Sequence, residues 1–314
     1  MDHAGRAGAG SARRQWGRLL SFRRFVAIDW SGAVGERHAG IAIALAVQGD
    51  AAPRLVRPER RWSRAEVAAW LAAELPEDTL VGIDSAPALP FLDRGAYFPG
   101  WSRSPPDARA LWALVEEICA AEPHLAANAF TDHPEAARHF RRHGGRTGDR
   151  FGTGRGRLRL TEHGQRRAGL SPYSCLNLVG AAQVGKSALT TMRLLARLDG
   201  LPVWPLDPRP SRGAVLVEIY TALAARAAGV ARPRSKLRDA AALDAALERL
   251  GSRPTGWAGR LSDHQCDALL SAAWLRAVAH DPALWAPPAL TPAVAATEGW
   301  TFGVVAGLVE PAGT

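Results

Sequence analysis

Lysine is almost missing from this chain, cysteine is scarce, and no apolar run is long. Of 39 basic residues only Lys186 and Lys236 are lysines, a lopsided use of arginine that reads as genome composition and carries no mechanism. The three cysteines, Cys119, Cys175 and Cys266, are odd in number and scattered without metal-ligand spacing. That argues against a disulfide framework and for a reducing compartment. No apolar stretch approaches the ~18 to 20 residues that cross a membrane, so no membrane partner is expected. The opening "MDHAGRAGAGSARRQWGRLLSFRR" lacks the apolar core and small-residue cleavage site of a secretory signal. Residues 1–24 therefore read as a flexible basic tail, and the protein as cytoplasmic.

What is there suffices for a sizeable core. The 314 residues, 47% hydrophobic, would make one large domain or two ordinary ones. The net charge of +9 favours anionic partners, nucleic acid (DNA or RNA) foremost. Oligomeric state has no signature in the sequence.

From Phe25 the elements are legible. "FVAIDWSG" is a short apolar run that ends in Asp and small residues, as a buried strand running into a turn does. Residues 39–47 and the neighbourhood of 54–62 read as two further strands, Pro58 placing the latter at an edge. Residues 63–75 read as a helix capped by Ser63, with Glu66 completing a capping box. Val67, Trp70, Leu71 and Leu75 fall on one of its faces. "TLVGIDSAP" is another strand ending in Ile-Asp. Three strands, a helix and a strand open a ribonuclease-H-like α/β fold, a mixed sheet flanked by helices. We expect a single domain over 25–310, with a large mid-chain insertion at about 91–210 that holds a helix at about 106–121. Later, "GAVLVEIYTALAARAAG" reads as a strand running into a helix. Residues 262–281 form a strong helix with a stripe of Leu270, Trp274 and Val278. There is no internal repeat.

The acids carry the chemistry. Asp29 and Asp84 each end an apolar, β-prone run, and ligands gather beyond the carboxyl ends of parallel strands. Asp before Ser or Gly also starts ordinary turns, the bland reading of each. Glu218, inside "VLVEIY", needs a partner or an edge, because an unpaired carboxylate is costly to bury. On the 262–281 helix, Asp263, His264 and Asp267 are three and four residues apart and project from nearly one face. They sit at the amino end, where the dipole favours carboxylates, and Asp263 is a candidate metal ligand or equally a plain helix start. Asp29, Asp84 and Asp267, with Glu218 or His264 alongside, are candidates for phosphodiester hydrolysis. Two divalent cations ~3.5 to 4 Å apart activate a water and stabilise a leaving oxygen, and hard ions such as Mg²⁺ or Mn²⁺ want oxygen ligands.

Seven blocks carry a resemblance: "AIDWSG" (27–32), "GIDSAP" (82–87), "RLTEHGQRR" (159–167), "LVGAAQVG" (178–185), "VEIY" (217–220), "DHQCDALLSAAWLRA" (263–277) and "EGWTFG" (298–303). Through them the chain resembles the domain-of-unknown-function 429 family, whose members are predicted ribonuclease-H-like nucleases. The resemblance implies a metal site in which Asp29 is the first-strand carboxylate, Asp84 the fourth-strand acid and Asp267 the acid of the last helix. His264 with Asp267 is also similar to the His-x-x-Asp ending of some Holliday-junction resolvases. Arg159 and Glu162, within a matching block, become candidates for orienting substrate. The family commonly has Pro after its Glu-x-Tyr block, where this chain has Thr221, and that departure bears on the role of Glu218.

One motif points elsewhere. Gly180, Gly185, Lys186 and Ser187 satisfy the phosphate-loop pattern G-x-x-x-x-G-K-[ST], which works only between a strand and a helix. The residues before it, "SPYSCLNLV", hold Pro172 and several polar groups. No apolar strand ending in Asp follows, since "PVWPLD" carries Pro205 in its middle. Lys186 and Ser187 are better read as opening a helix. The segment 141–167 holds nine Arg and two acids, which suits a phosphate backbone read without sequence preference, or equally a solvated loop. The leading reading is a metal-dependent nuclease. The alternatives are a catalytically silent nucleic-acid-binding module of the same fold, and a nucleotide-hydrolysing or phosphotransfer enzyme using the 180–187 loop.

Overall fold

Six strands build the main sheet. β1 (Arg24–Asp29), β3 (Ala42–Val47) and β4 (Arg54–Leu55) form its antiparallel half, and β6 (Thr79–Asp84), β7 (Val203–Trp204) and β8 (Val215–Glu218) its parallel half. The order across the sheet is β4-β3-β1-β6-β8-β7. β1 runs antiparallel to β3 and parallel to β6. β4 lies at one edge, as Pro58 implied, although it is only two residues long. β2 (Arg37–His38) and β5 (Trp62–Ser63) pair separately as a short ribbon. This is a computed structural model, and it describes residues 22–180, 183–230 and 239–305. The basic tail lies almost wholly outside them.

Eleven α-helices are described: α1 (Arg64–Ala73), α2 (Ala108–Ile118), α3 (Asn128–Asp132), α4 (Pro134–Ala137), α5 (Leu160–Arg167), α6 (Val184–Ala196), α7 (Thr221–Ala227), α8 (Ala240–Arg249), α9 (Asp263–Val278), α10 (Pro282–Trp285) and α11 (Pro292–Thr297). The start of α1 is the expected capping box, Ser63 and Glu66 each accepting the other's backbone N–H. Ser262 and Gln265 close a second box at α9.

Strand periodicity divides the core in two. Val26 and Ile28 of β1, with Val81 and Ile83 of β6, pack with α1, α2 and α6. Phe25 and Ala27, with Leu80 of β6 and Val215 and Val217 of β8, pack with α7, α8 and α9. Successive side chains of a strand point to opposite faces, so one residue of phase decides which helices a side chain meets. Residues 91–210 therefore do more than interrupt the fold. They supply α2 and α6, which cover one face of the sheet, and the edge strand β7.

α9 is not the one-sided helix that a Leu270-Trp274-Val278 stripe describes. Residues 268–276 are all buried, because the helix is sandwiched between the sheet and its helical neighbours. Gly82 permits the close approach. A Cβ there would lie 2.7 Å from Ile219 Cγ2 and 2.8 Å from Leu275 Cδ1.

Candidate functional site

Asp29 and Asp84 are register partners at the carboxyl ends of adjacent parallel strands. Both belong to the phase of Phe25, Ala27 and Leu80, so both look toward α9. The residues that follow them take the other phase and anchor to α6. Trp30 Nε1 donates to Thr190 Oγ1 at 3.0 Å, and Thr191 Oγ1 donates to Ser85 Oγ at 2.7 Å. Each acid is thus backed by a side chain tied to the opposite helix layer. Buried Arg64 secures the turn after β1, donating to the carbonyls of Ser31, Ala33 and His124.

α9 brings the remaining members. His264 Nδ1 lies 3.3 Å from Asp29 Oδ2. That hydrogen bond raises the imidazole's proton affinity against the opposing effect of burial, with help from the charges of Asp29, Asp267 and Asp263. Asp84 is pushed well above the carboxylate range, first by burial and then by the charges of Asp29 and Asp267. Thr221 opposes this. Its backbone N–H donates to Asp84 Oδ1 at 3.3 Å and its hydroxyl to Oδ2 at 3.2 Å. A proline at 221 would supply neither donor. The departure at Thr221 thus concerns Asp84 rather than Glu218.

Glu218 does not join these acids, which corrects its place among the catalytic candidates. It is the register partner of Ile83, one residue out of phase with Asp84, and its side chain leaves the sheet on the α6 side. There Arg159 takes both of its oxygens, Nη2 to Oε1 at 2.6 Å and Nη1 to Oε2 at 2.8 Å. The hydroxyl of Thr301 adds a third bond at 2.8 Å. Arg159 Nε also donates to Glu162 Oε1 at 3.0 Å, and its backbone N–H to Glu162 Oε2 at 2.9 Å. Arg159, Glu162 and Glu218 are 1%, 3% and 4% exposed, so the substrate-orienting pair is first of all a buried ion cluster. Burial opposes the charge of Arg159, but Glu218 and Glu162 hold it well above its usual range. Burial pushes Glu162 up against the pull of Arg159, and pushes the neighbouring Cys175 thiol up further. Glu298 completes the frame, its carboxylate accepting the N–H groups of Phe91, Leu92 and Leu160.

A cleft of about 500 Å³ joins the two groups. Asp84 and His264 line it together with Arg159, Glu162 and Glu218, and Tyr173 and Tyr220 also face it. Asp263 lies outside it, in a shallow depression with Ser262 and Gln265. Its metal role is thereby weakened: it is the first residue of α9, and its charge acts on His264. Among the described residues, no group of three or more His, Cys, Asp or Glu side chains is arranged to hold a metal ion.

The phosphate loop lacks its setting. Residues 171–180 form no strand, and Lys186 Nζ lies 3.1 Å from His143 Nε2. Ala181 and Ala182 lie outside the described residues. Lys186 and Ser187 do fall in the first turn of α6, and a Cβ on Gly32 would meet Ser187 N at 2.3 Å. The basic segment also differs from an open cationic loop. Arg142 pairs with Asp132, Arg157 with Asp93, and Arg159 is in the core.

Thr221, Glu298, Arg64 and Tyr173 were not singled out from the sequence as site residues. Thr221 left a trace there as the departure from the pattern of the resembling family, and Glu298 as the first residue of the block "EGWTFG".

Comparisons with protein-family models, with curated proteins and with solved structures find no match to this chain. Among the described residues no helix is long and apolar enough to cross a membrane.

Proposed function

We propose that this protein is a ribonuclease-H-like, metal-dependent nuclease that hydrolyses phosphodiester bonds in nucleic acid. One observation carries the reading: Asp29 and Asp84 end adjacent parallel strands in register, facing the helix that bears His264 and Asp267. The central β1, flanked by antiparallel β3 and parallel β6, supports the ribonuclease-H-like form of the α/β sheet. The chemistry of the donors, though not yet their arrangement, suits Mg²⁺ or Mn²⁺: they are carboxylates whose charges repel, and the described hydrogen bonds to Asp84 come from Thr221. Asp29, Asp84 and Asp267 would hold the ion, which would supply an activated water and a counter-charge for the leaving oxygen. Thr221 turns the Asp84 carboxylate, His264 neutralises Asp29, and the cleft bounds the phosphate's approach.

Asp29→Asn removes one charge and little volume, so the fold should survive. Cleavage of single-stranded, duplex or branched substrates in Mg²⁺ or Mn²⁺ should fall at least about a hundredfold. A folded Asp29→Asn protein that cleaves like wild type would end the reading. A silent nucleic-acid-binding module is favoured by one feature, the lack of a three-residue metal group among the described side chains. Mn²⁺ soaked into crystals separates the two readings, since the nuclease binds it at Asp29 and Asp84.

A further inference from the structure

Tyr173 is one of five large apolar side chains exposed among the described residues, at 44%, and it lines the cleft. The guanidinium of Arg155 lies over its ring, 5.6 Å from the centroid. Two residues on, Arg157 is committed to Asp93 and to the carbonyls of Pro90, Ala96 and Tyr97. Arg159 is locked between Glu162 and Glu218. Arg155 has no ion-pair partner among the described residues and is exposed. Arg155 thus covers one face of a ring that stays 44% exposed and lines the same cleft as Asp84.

We propose that Tyr173 and Arg155 form a stacking platform for one unpaired nucleotide, which makes the cleft selective for single-stranded nucleic acid or frayed ends. This rests on the nucleic-acid reading above and names its substrate class. A nucleobase stacks on Tyr173 while its phosphate meets Arg155, and the chain continues toward Asp84. Aromatic stacking on bases is tolerant of sequence because every base has a π-face. A paired base within a duplex has no free face to offer. The cleft's volume, about 500 Å³, is that of a small-ligand pocket and suits one extruded nucleotide.

The test is binding of fluorescent oligonucleotides in Ca²⁺, followed by anisotropy and read apart from cleavage. Wild type should bind a short single strand more tightly than the matching duplex. Tyr173→Ala should weaken single-strand binding by about 5- to 150-fold, the range for one lost stack. Tyr173→Phe should restore it. An oligonucleotide with abasic positions should bind Tyr173→Ala and wild type alike. Arg155→Gln should lower the dependence of log affinity on log salt by about 0.7, one phosphate's share in a single strand. The platform is overturned if folded Tyr173→Ala binds as wild type does, if duplex and single strand bind equally, or if wild type binds neither. Cleavage that ignores Tyr173 would sink the platform and leave the nuclease reading standing. Binding that depends on Tyr173 without cleavage of any substrate would do the reverse.

Discussion

Replacing Arg159 with Met should unfold this protein more readily than any single change at the acid cluster. Arg159 is 1% exposed and gives four N–H bonds of 3.0 Å or shorter from its side chain: two to Glu218, one to Glu162 and one to the Glu298 carbonyl. Met keeps much of the volume and removes every donor, which leaves two carboxylates buried beside each other. Breaking a buried ion pair from one side costs about 3–5 kcal/mol, chiefly the penalty of the orphaned charge. At roughly 2 °C per kcal/mol for a chain of this size, Tm at pH 7 should fall by about 6–10 °C. Acid should narrow the deficit, because the orphaned carboxyls of the variant take up protons in its folded state, so its stability rises relative to wild type as pH falls. Adding Glu162→Gln and Glu218→Gln to Arg159→Met should recover most of the loss at pH 7. Calorimetric melting of the three proteins between pH 5 and 8 decides the matter. If Arg159→Met melts like wild type yet loses activity, Glu218 and Arg159 belong to the chemistry rather than to the frame, and the assignment made here is wrong.

Gly82→Ala should destabilise by about 1–3 kcal/mol, since its methyl meets Ile219 and Leu275 at 2.7–2.8 Å; an unchanged midpoint of urea unfolding would show that α9 stands further from the sheet. Asp84→Asn should raise Tm at pH 7, and the gain should shrink toward pH 4. The folded carboxyl titrates above its unfolded value of about 3.9, so wild type loses stability as pH rises through that window. A gain independent of pH would contradict the burial and repulsion argued for Asp84. Lys186→Ala should leave melting within about 0.5 kcal/mol and any cleavage within a few fold, because its described contact is to His143 at the surface. Loss of tight nucleotide binding on that change would instead revive the phosphate loop.

Much of the strand and helix pattern could be read from residues alone. Alternation and apolar runs announce β1, β3, β6 and β8, and the Ser63–Glu66 pair announces α1, because these signals are local and each has a hydrogen bond or a buried face behind it. That Asp29 and Asp84 end their strands is equally local. Three matters were settled only in three dimensions. Glu218 lies in an apolar strand-like run of its own, but the pairing register puts it beside Ile83, one residue out of phase with Asp84, and so on the opposite face. Arg159 and Glu162 look like charges of a basic loop, yet both are buried, Arg159 reaching across 59 residues of chain to Glu218 while it also holds Glu162. Lys186 completes a phosphate-loop motif that lacks a strand before it, because residues 171–180 fold as irregular chain. Residue type and spacing determined which groups are able to ionise, cap or stack. Strand register and long-range pairing decided which of them meet, because a carboxylate's neighbours come from other elements and not from its own segment.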